Sequence, residues 1–382
     1  MSMDDPARRL RTVNPPVERG STVLLPDAAA LYDHSRPTYG RQGLSTQAAL
    51  AGALAELEGA TQVHLFPSGL AAVAGAVLSV VSAGDTVLAA DCVYAPVRRF
   101  LSETLKRFGA EVTYFDPALS PDAVLAMADE RTRLIVMESP GSLTFDVQDA
   151  PGIAAAARAR GILTLMDNTW AAGVLFKPLA AGVDLSVQAL TKYVAGHADV
   201  FAGSVATADR RIGAQVEQAI HDMGWALSPD DAYLVLRGMR TLELRLERHG
   251  ASALAVASWL QSRPEVTQVL CPALPGAPGH ELWRRDYSGG NGLFGVVLTP
   301  GSRRAVNRLL DTLTCFGLGF SWGGFESLAI AADPQMKRRA DHGALGGPLL
   351  RLHIGLEPVE RLTADLARGL DAYAAASRED DR

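Results

Sequence analysis

The sequence contains little of what several protein classes require. Its three cysteines, Cys92, Cys271 and Cys315, are odd in number and far apart, which excludes a disulfide framework and a Cys-x-x-Cys metal or redox pair. The eight histidines are scattered, without a His-x-x-x-His pair or a Cys/His cluster, so we expect no metal site. We expect the cysteines to be buried, unreactive thiols.

Charge and hydropathy exclude two kinds of partner. The formal net charge is −6, and no run of Lys or Arg offers a surface for nucleic acid or for an anionic membrane. The start, MSMDDPARRL, is charged and unlike a signal peptide, and no later segment has the roughly 18 uninterrupted apolar residues of a membrane span. We therefore expect a cytoplasmic protein that acts on small molecules.

What the sequence does have is a regular alternation of apolar runs and helical stretches. The chain has 382 residues, enough for roughly two or three domains. From Thr46 onward, helices of about ten residues separate short runs that are typical of buried strands; these runs are QVHLF, DTVLAA, EVTYF, RLIVMES, ILTLMDN, DLSVQAL and FAGSVAT. The pattern predicts the α/β class, with a large, mostly parallel sheet covered by helices.

Changes in this pattern divide the chain into three predicted parts. Residues 1–44 are rich in Pro and Arg and lack any period, as expected of an arm that lies over another surface. Residues 45–237 form the large domain. Residues 238–382 have longer helices and the runs VTQVL, LFGVVLT and LLRLHIG, which predicts a smaller C-terminal α/β domain. The charged tail SREDDR is expected to be solvated and frayed.

Two candidate binding residues follow strands of the predicted sheet, where open α/β sheets collect their ligands. In FPSGLAAVAG, the Ser68 hydroxyl and the free N–H groups at a helix start could bind a phosphate, with Gly69 allowing close approach. Plain helix capping is the alternative. In ILTLMDN, Asp167 could keep a pyridinium nitrogen protonated. An ordinary turn aspartate is the alternative, and the residues alone favour it.

Three further residues complete a possible cofactor site. Lys192 is flanked by apolar residues and has no neighbouring acid in the sequence, which favours a desolvated amine, although most lysines are solvated. Arg351, between Leu350 and Leu352, should grip a carboxylate of the protein or of a substrate. Tyr94 could stack on an aromatic ring. Phosphate site, pyridinium partner, amine and carboxylate-binding arginine are together the set that pyridoxal 5′-phosphate needs.

Longer stretches carry a family resemblance over nearly the whole chain. They are YGRQG, ELEG, FPSGLAAVAG, MESPGS, DNTWAAGVLFKPL, ALTKYVAGHADV, YLVLRGMRTLELRL, PALPG, FSWGGFESL and LRLHIGLE. In this order they resemble the transsulfuration enzymes, the Cys/Met metabolism family of fold type I pyridoxal-phosphate enzymes. The resemblance implies a large cofactor domain, a smaller C-terminal domain and an extended N-terminal arm.

The resemblance also implies residue roles. Lys192 would be the Schiff-base lysine and Tyr94 the stacking and catalytic ring. The residues expected to bind the cofactor are Lys192, Asp167, Ser68, Gly69, Leu70, Tyr94, Thr191 and, from a neighbouring subunit, Tyr39 and Arg41. Those expected to bind the substrate, with its α-carboxylate on the first, are Arg351, Ser321, Trp322 and Tyr39. A homodimer would be the minimal active unit, and a tetramer built as a dimer of dimers is expected.

One position bears on the reaction that the resemblance implies. Relatives that catalyse γ-elimination typically have a glutamate followed by Ser-Leu-Gly-Gly, whereas this chain has Phe320 followed by Ser-Trp-Gly-Gly. The expected activity is therefore that of a carbon–sulfur lyase, the α,β-elimination of L-cystathionine to L-homocysteine, pyruvate and ammonia in methionine biosynthesis. β-Lyases tend to have Tyr in place of Phe320, which leaves the preferred thioether open.

Several alternatives remain at this point. Within the family, they are a broad cysteine-S-conjugate β-lyase and, less favoured, a cystathionine or methionine γ-lyase or a γ-synthase. From other classes, a regulatory module that retains the cofactor would need a basic helix-turn-helix segment, which is absent from the sequence. A serine hydrolase would need a Gly-x-Ser-x-Gly elbow, and FPSGLA does not provide one.

Overall fold

A computed structural model describes residues 12–33, 35–336 and 345–380 of the chain. The charged start whose composition argues against a signal peptide, and the last two residues of the SREDDR tail, lie outside the described residues. Within the described part, no helix is long and apolar enough to cross a membrane. In the same residues, no group of three or more His, Cys, Asp or Glu side chains could hold a metal ion.

A seven-stranded sheet forms the centre of the large domain. Its strands are β1 (Gln62–Phe66), β2 (Thr86–Ala90), β3 (Glu111–Phe115), β4 (Thr132–Glu138), β5 (Leu163–Asp167), β6 (Leu185–Gln188) and β7 (Gly203–Thr207). Their order across the sheet is β1-β7-β6-β5-β4-β2-β3. Only β7 runs against its neighbours, β1 and β6, so the predicted mostly parallel sheet is confirmed. Strands β2, β6 and β7 are buried along their whole length, as expected of strands covered on both faces.

The helices begin and end at positions that the sequence marks. They are α1 (Ser45–Glu58), α2 (Gly69–Val80), α3 (Ala95–Arg99, continued by a π-helical turn, Phe100–Leu105), α4 (Pro121–Ala126), α5 (Ala150–Ala159), α6 (Arg210–Met223), α7 (Pro229–Met239), α8 (Leu242–Leu260), α9 (His280–Asp286), α10 (Arg303–Thr312) and α11 (Val359–Asp380). Short 3-10 turns cover Ala29–Tyr32, Gly40–Gln42 and Asp333–Gln335. Ser68, Ser120, Asp149 and Asp209 accept backbone N–H bonds as N-caps. Helices α1, α2, α5 and α6 pack on the large sheet.

The C-terminal part contains a second sheet of four strands. These are β8 (Val266–Leu270), β9 (Leu293–Leu298), β10 (Leu328–Ala331) and β11 (Leu349–His353), in the order β10-β11-β9-β8. Every pairing in this sheet is antiparallel. The sequence predicted three of the strands and missed β10, which has only four residues and no alternating pattern.

Two buried clusters form the cores of the large domain and of the C-terminal part. Helix α8 connects them, since Leu242 and Leu246 pack in the first cluster and Val256 and Leu260 in the second. The predicted division at residue 237 falls inside α7, one helix before this point. The domain limits therefore stay a prediction.

Both ends of the described chain are held by ion pairs. In the arm, Arg19 pairs with Asp230 at the start of α7, at 2.5 Å. At the other end, α11 continues into the charged tail, where Arg304 pairs with Glu379 at 2.6 Å and with Asp380 at 2.8 Å. The expectation that the tail frays is therefore wrong as far as Asp380, because opposite charges on α10 lie within reach.

Candidate active site

A cavity of about 390 Å³ opens at the carboxyl edge of the large sheet and extends to the C-terminal part. Strands β1, β2, β4, β5 and β6 all have their carboxyl ends at this edge. Strand β1 shares the direction of β6 because the β7 strand between them is antiparallel to both. Eight of the predicted site residues line the cavity: Gly69, Leu70, Tyr94, Asp167, Lys192, Ser321, Trp322 and Arg351. The fold thus brings together residues that are far apart in sequence.

Lys192 lies in the turn after β6 and extends its amine into the cavity. Its Nζ donates a hydrogen bond to Ser321 Oγ at 2.7 Å and lies 5.4 Å from the centre of the Trp322 ring. Burial, assisted by the positive charge of Arg351, lowers the pKa of Lys192 to about 8, against the opposing influence of Asp167. About a tenth of this amine is therefore unprotonated at pH 7, far more than for a solvated lysine.

Asp167 is the last residue of β5 and faces the same cavity. Its Oδ1 accepts bonds from the Thr169 amide at 3.0 Å and the Thr169 hydroxyl at 2.5 Å. Burial raises the pKa of Asp167, whereas these bonds and the positive charge of Lys192 oppose the shift. A cation placed against this carboxylate would offset the cost of burying it.

The start of α2 provides backbone donors at the edge of the cavity. Ser68 Oγ accepts from Ala71 N at 3.2 Å, so its hydroxyl acts as the helix cap, and its side chain does not line the cavity. Gly69 and Leu70 line the cavity, and their amides precede the first helical bonds. A Cβ on Gly69 would lie 2.4 Å from Ala189 Cβ, which explains why a glycine stands here.

Arg351 reaches the cavity from β11 and is 8% exposed. Its Nη2 donates to Ser321 O at 2.9 Å, and its Nε is buried without a hydrogen-bond partner among the described residues. In that part of the chain its hydrogen bonds go to the carbonyls of Gly319 and Ser321 and it forms no ion pair with a carboxylate, so no described residue supports the alternative of an internal acid partner. Burial lowers the pKa of Arg351 to about 10, so the guanidinium is charged at neutral pH and can bind an anion.

Tyr94 lines the cavity next to a carboxylate that the sequence analysis overlooked. Its backbone N–H donates to Glu138 Oε2 at 2.6 Å, and Ser142 Oγ donates to Glu138 Oε1 at 2.5 Å. Burial, followed by the charge of Glu138, raises the pKa of the Tyr94 phenol, which stays protonated. Glu138 ends β4 as Asp167 ends β5, so the rule that singled out Asp167 would also have found it.

Besides Ser68, three predicted residues do not line this cavity. Thr191 Oγ1 donates to Ala202 O at 3.2 Å and accepts from Ala202 N at 3.1 Å. Tyr39 is 48% exposed, and Arg41 Nη1 donates to His221 O at 3.1 Å, beside a separate cavity under the arm. Within one chain, the described residues of the arm therefore supply no side chain to the Lys192 cavity.

Pyridoxal phosphate fits the polar groups that line this cavity. The amides at the start of α2 suit its phosphate, the buried Asp167 carboxylate suits its pyridinium N–H, and the amine of Lys192 suits its aldehyde. The Tyr94 ring stands among these groups at the cavity wall.

Comparison with known proteins agrees with this fit. The family model described as "Cys/Met metabolism PLP-dependent enzyme" matches residues 2–371. The chain belongs to this family. It is thus a pyridoxal-phosphate-dependent enzyme with the fold type I architecture, and an amino acid is the class of substrate that the family implies.

Three relatives illustrate the similarity. The cystathionine beta-lyase of Bordetella avium is 43% identical over 371 residues, covering 95% of this chain and 93% of that protein. The cystathionine beta-lyase of Salmonella typhimurium is 41% identical over 372 residues, covering 94% of each. The crystal structure of cystathionine gamma synthase from Xanthomonas oryzae, in complex with aminoacrylate and cysteine, has a TM-score of 0.88 and 32% identity, covering 95% and 94% of the two chains.

Proposed function

We propose that this enzyme is a carbon–sulfur lyase that converts L-cystathionine to L-homocysteine, pyruvate and ammonia by α,β-elimination. The observation that carries the proposal is that Lys192, Asp167 and Arg351 all line one cavity. Two relatives of more than 40% identity over nearly the whole chain are named for this reaction. Phe320, which lines the cavity where an acid marks γ-elimination, favours it as well.

The cofactor is held by four kinds of contact in this proposal. Lys192 binds it covalently, and Asp167 accepts a hydrogen bond from the pyridinium N–H, which keeps that nitrogen protonated. Gly69 and Leu70 donate their amides to the phosphate, and Tyr94 covers the ring. Ser68 supports the phosphate site as the helix cap, and Thr191 supports it by fixing the loop at Ala202.

The substrate is held by the C-terminal part. Arg351 binds the α-carboxylate through guanidinium N–H groups that its bond to Ser321 O leaves available. Ser321 and Trp322, which contact Lys192 from the same turn, form the adjoining wall. This arrangement fixes the α-carbon beside the Lys192 amine, where proximity lowers the barrier to proton transfer.

Proton movement between named atoms completes the reaction. The bound cofactor supplies an electron sink for the charge left on the α-carbon. Lys192, released from the cofactor when the amino group of the substrate takes its place, removes the α-proton as the neutral amine, and the low pKa of this lysine makes the neutral form available. The Cβ–S bond then breaks, and the sulfur leaves with the bonding electrons and receives a proton from Lys192 or Tyr94. Water converts the remaining three-carbon fragment to pyruvate and ammonia.

A homo-oligomer is part of the proposal. Tyr39 and Arg41 line no part of their own chain's Lys192 cavity, and Tyr39 is half exposed. We therefore propose that both residues reach the cofactor phosphate of a neighbouring subunit, and Tyr39 also its substrate, in a tetramer built as a dimer of dimers. The cytoplasmic location stays a prediction from the sequence.

The products formed from L-cystathionine distinguish β-elimination from γ-elimination. Anaerobic incubation with L-cystathionine should release free thiol and pyruvate in equal amounts and no 2-oxobutyrate. Formation of 2-oxobutyrate with cysteine would instead establish γ-elimination. Faster turnover of other cysteine S-conjugates than of cystathionine would identify the broader β-lyase.

Labelling decides the attachment site. Borohydride reduction of the holoenzyme should fix the cofactor on Lys192, one of four lysines in the chain. Peptide mass spectrometry distinguishes it from Lys106, Lys177 and Lys337, and a label on any of these would overturn the assignment.

A further inference from the structure

The turn Ser321–Gly323 contacts Lys192 through both a side chain and its backbone. Ser321 Oγ accepts the hydrogen bond from Lys192 Nζ at 2.7 Å. Gly323 packs so closely on the chain behind the lysine that a Cβ there would lie 2.7 Å from Tyr193 N. The position of this turn therefore determines where Ser321 Oγ, the hydrogen-bond partner of the Lys192 amine, lies.

The turn has a conformation that needs outside support. Ser321 has a φ of +74°, in the left-handed region that non-glycine residues rarely adopt. Such a conformation is unfavourable for a residue with a Cβ and persists only where the surroundings hold it. The structure must therefore supply contacts that fix the turn.

Strand β11 supplies these contacts from two residues on one face. Side chains two apart on a strand point the same way. Arg351 donates to Ser321 O at 2.9 Å, and two residues later His353 Nε2 accepts from Gly323 N at 3.0 Å. Arg351 is assigned to the substrate, whereas His353 does not line the cavity and has no role in the mechanism above.

The hydrogen bonds of His353 define its protonation state. The ring is fully buried, and Nδ1 lies 2.9 Å from Glu326 O. Because Nε2 faces a backbone N–H, it must be the unprotonated acceptor, and Nδ1 then carries the proton that it donates to Glu326 O. Burial lowers the pKa of His353 to about 3, so the ring keeps this neutral form throughout the neutral range.

We propose that His353 is a positioning residue for Lys192. By accepting the Gly323 N–H, it holds the strained turn so that Ser321 Oγ meets the Lys192 amine in the orientation for α-proton removal. The inference rests on the proposed role of Lys192 as the proton acceptor, and it assigns His353 no contact with substrate or cofactor.

Two substitutions separate the two hydrogen bonds of this ring. The amide of Gln reaches about as far as Nε2 and can accept from Gly323 N, whereas the shorter Asn reaches only the place of Nδ1 and bonds Glu326 O. We expect His353→Asn to slow α-proton removal about tenfold, the rate equivalent of one buried hydrogen bond, and His353→Gln to stay within about threefold of the wild type.

His249 provides the matched control for stability. It is fully buried, its ring centre lies 5.4 Å from that of His353 and its Nδ1 bonds Ile354 O at 2.7 Å, whereas the described residues show no hydrogen bond from it to the turn. His249→Asn should lower the melting temperature as much as His353→Asn does and leave α-proton removal unchanged. A merely structural role for His353 would make the two variants alike in both measurements.

Two measurements on the holoenzyme test the proposal. Exchange of the α-proton of L-alanine in deuterated water, followed by NMR, reports Lys192 without requiring a leaving group. Amide exchange of residues 321–324, followed by mass spectrometry, reports the turn and should be faster in His353→Asn than in His353→Gln.

Equal alanine exchange in His353→Asn and the wild type would overturn the inference, as would equal losses in the Asn and Gln variants. The proposed substrate stands or falls separately, because failure to release homocysteine and pyruvate from cystathionine would overturn that proposal, while the alanine and amide exchange rates would still decide the role of His353.

Discussion

At the scale of single residues, Lys192 owes its chemistry to its surroundings. Burial and the charge of Arg351 lower its pKa to about 8, so lowering the pH converts the base to an ammonium that cannot take the α-proton. We predict that kcat rises with pH to a plateau and is half-maximal near pH 8. The pH profile of kcat, measured with unlabelled and α-deuterated substrate, checks this where the isotope effect shows that proton removal limits the rate. A kcat that stays constant through this range would contradict it.

Arg351 carries the second prediction at this scale. Arg351→Lys keeps the charge but loses the planar pair of donors, so we expect kcat/KM to fall by the equivalent of about 1.5–3 kcal/mol while cofactor absorbance stays normal. Part of the loss should appear in kcat, because a misplaced carboxylate also tilts the Cα–H bond. Steady-state kinetics and a melting curve test this together.

The result for Arg351→Lys also distinguishes a role in substrate binding from a purely structural role. Arg351 supports the Ser321 turn as well, so some loss of stability is expected. A lower melting temperature with unchanged kinetics of the folded fraction would remove Arg351 from the substrate site.

At the scale of elements, the junction between β1 and α2 is the most constrained. Gly69 lies against Ala189, and an added Cβ would come within 2.4 Å of the Ala189 Cβ. We predict that Gly69→Ala pushes the start of α2 away from the loop that carries Lys192 and weakens cofactor binding at least about tenfold, since it displaces charge-assisted phosphate contacts. Equilibrium dialysis of the cofactor measures this.

Gly52 in α1 is the matched control for this substitution. It is exposed in the middle of a helix, and a Cβ there would meet nothing within 4 Å. Gly52→Ala should raise the free energy of unfolding by about 0.5–1 kcal/mol and leave cofactor affinity unchanged. Equal cofactor affinity in the Gly69→Ala and wild-type enzymes would contradict the assignment of the phosphate to this junction.

At the scale of the whole molecule, the proposed role of the arm is to complete the active site of a neighbouring subunit. If Arg41 serves the neighbouring subunit, a dimer of one Arg41→Ala and one Lys192→Ala chain has one complete site. We predict that this hybrid, purified with two different tags, recovers up to half of the wild-type activity, whereas each homodimeric variant is impaired. The Lys192→Ala homodimer should be inactive.

The same hybrid can refute the shared site. Activity no higher than that of the Arg41→Ala homodimer, after correction for the inactive subunit, would mean that each arm serves its own chain. A structure of the assembled holoenzyme with Arg41 on its own subunit's phosphate would do the same.

The sequence by itself determined the strands of the large sheet, the class of the fold and the place of Asp167 and Lys192 at strand ends. It did so because burial on both faces leaves apolar runs that are visible locally, and because a polar residue directly after such a run is also a local signal. The family resemblance extended the same local information to Tyr94, Ser321 and Trp322.

Only the tertiary structure decided what depends on contacts between distant segments. Lys192 follows β6 of the large sheet and Arg351 lies in β11 of the small sheet, and no local period encodes the packing that brings them to one cavity. The missed strand β10 and the helical tail residues that pair with Arg304 have the same cause, because each is defined by a partner far along the chain. Glu138 differs from them, because its place at the end of β4 is a local signal that the sequence analysis overlooked. The left-handed backbone of Ser321 and the burial of His353 are further cases, because both depend on the packing of β11 against the turn.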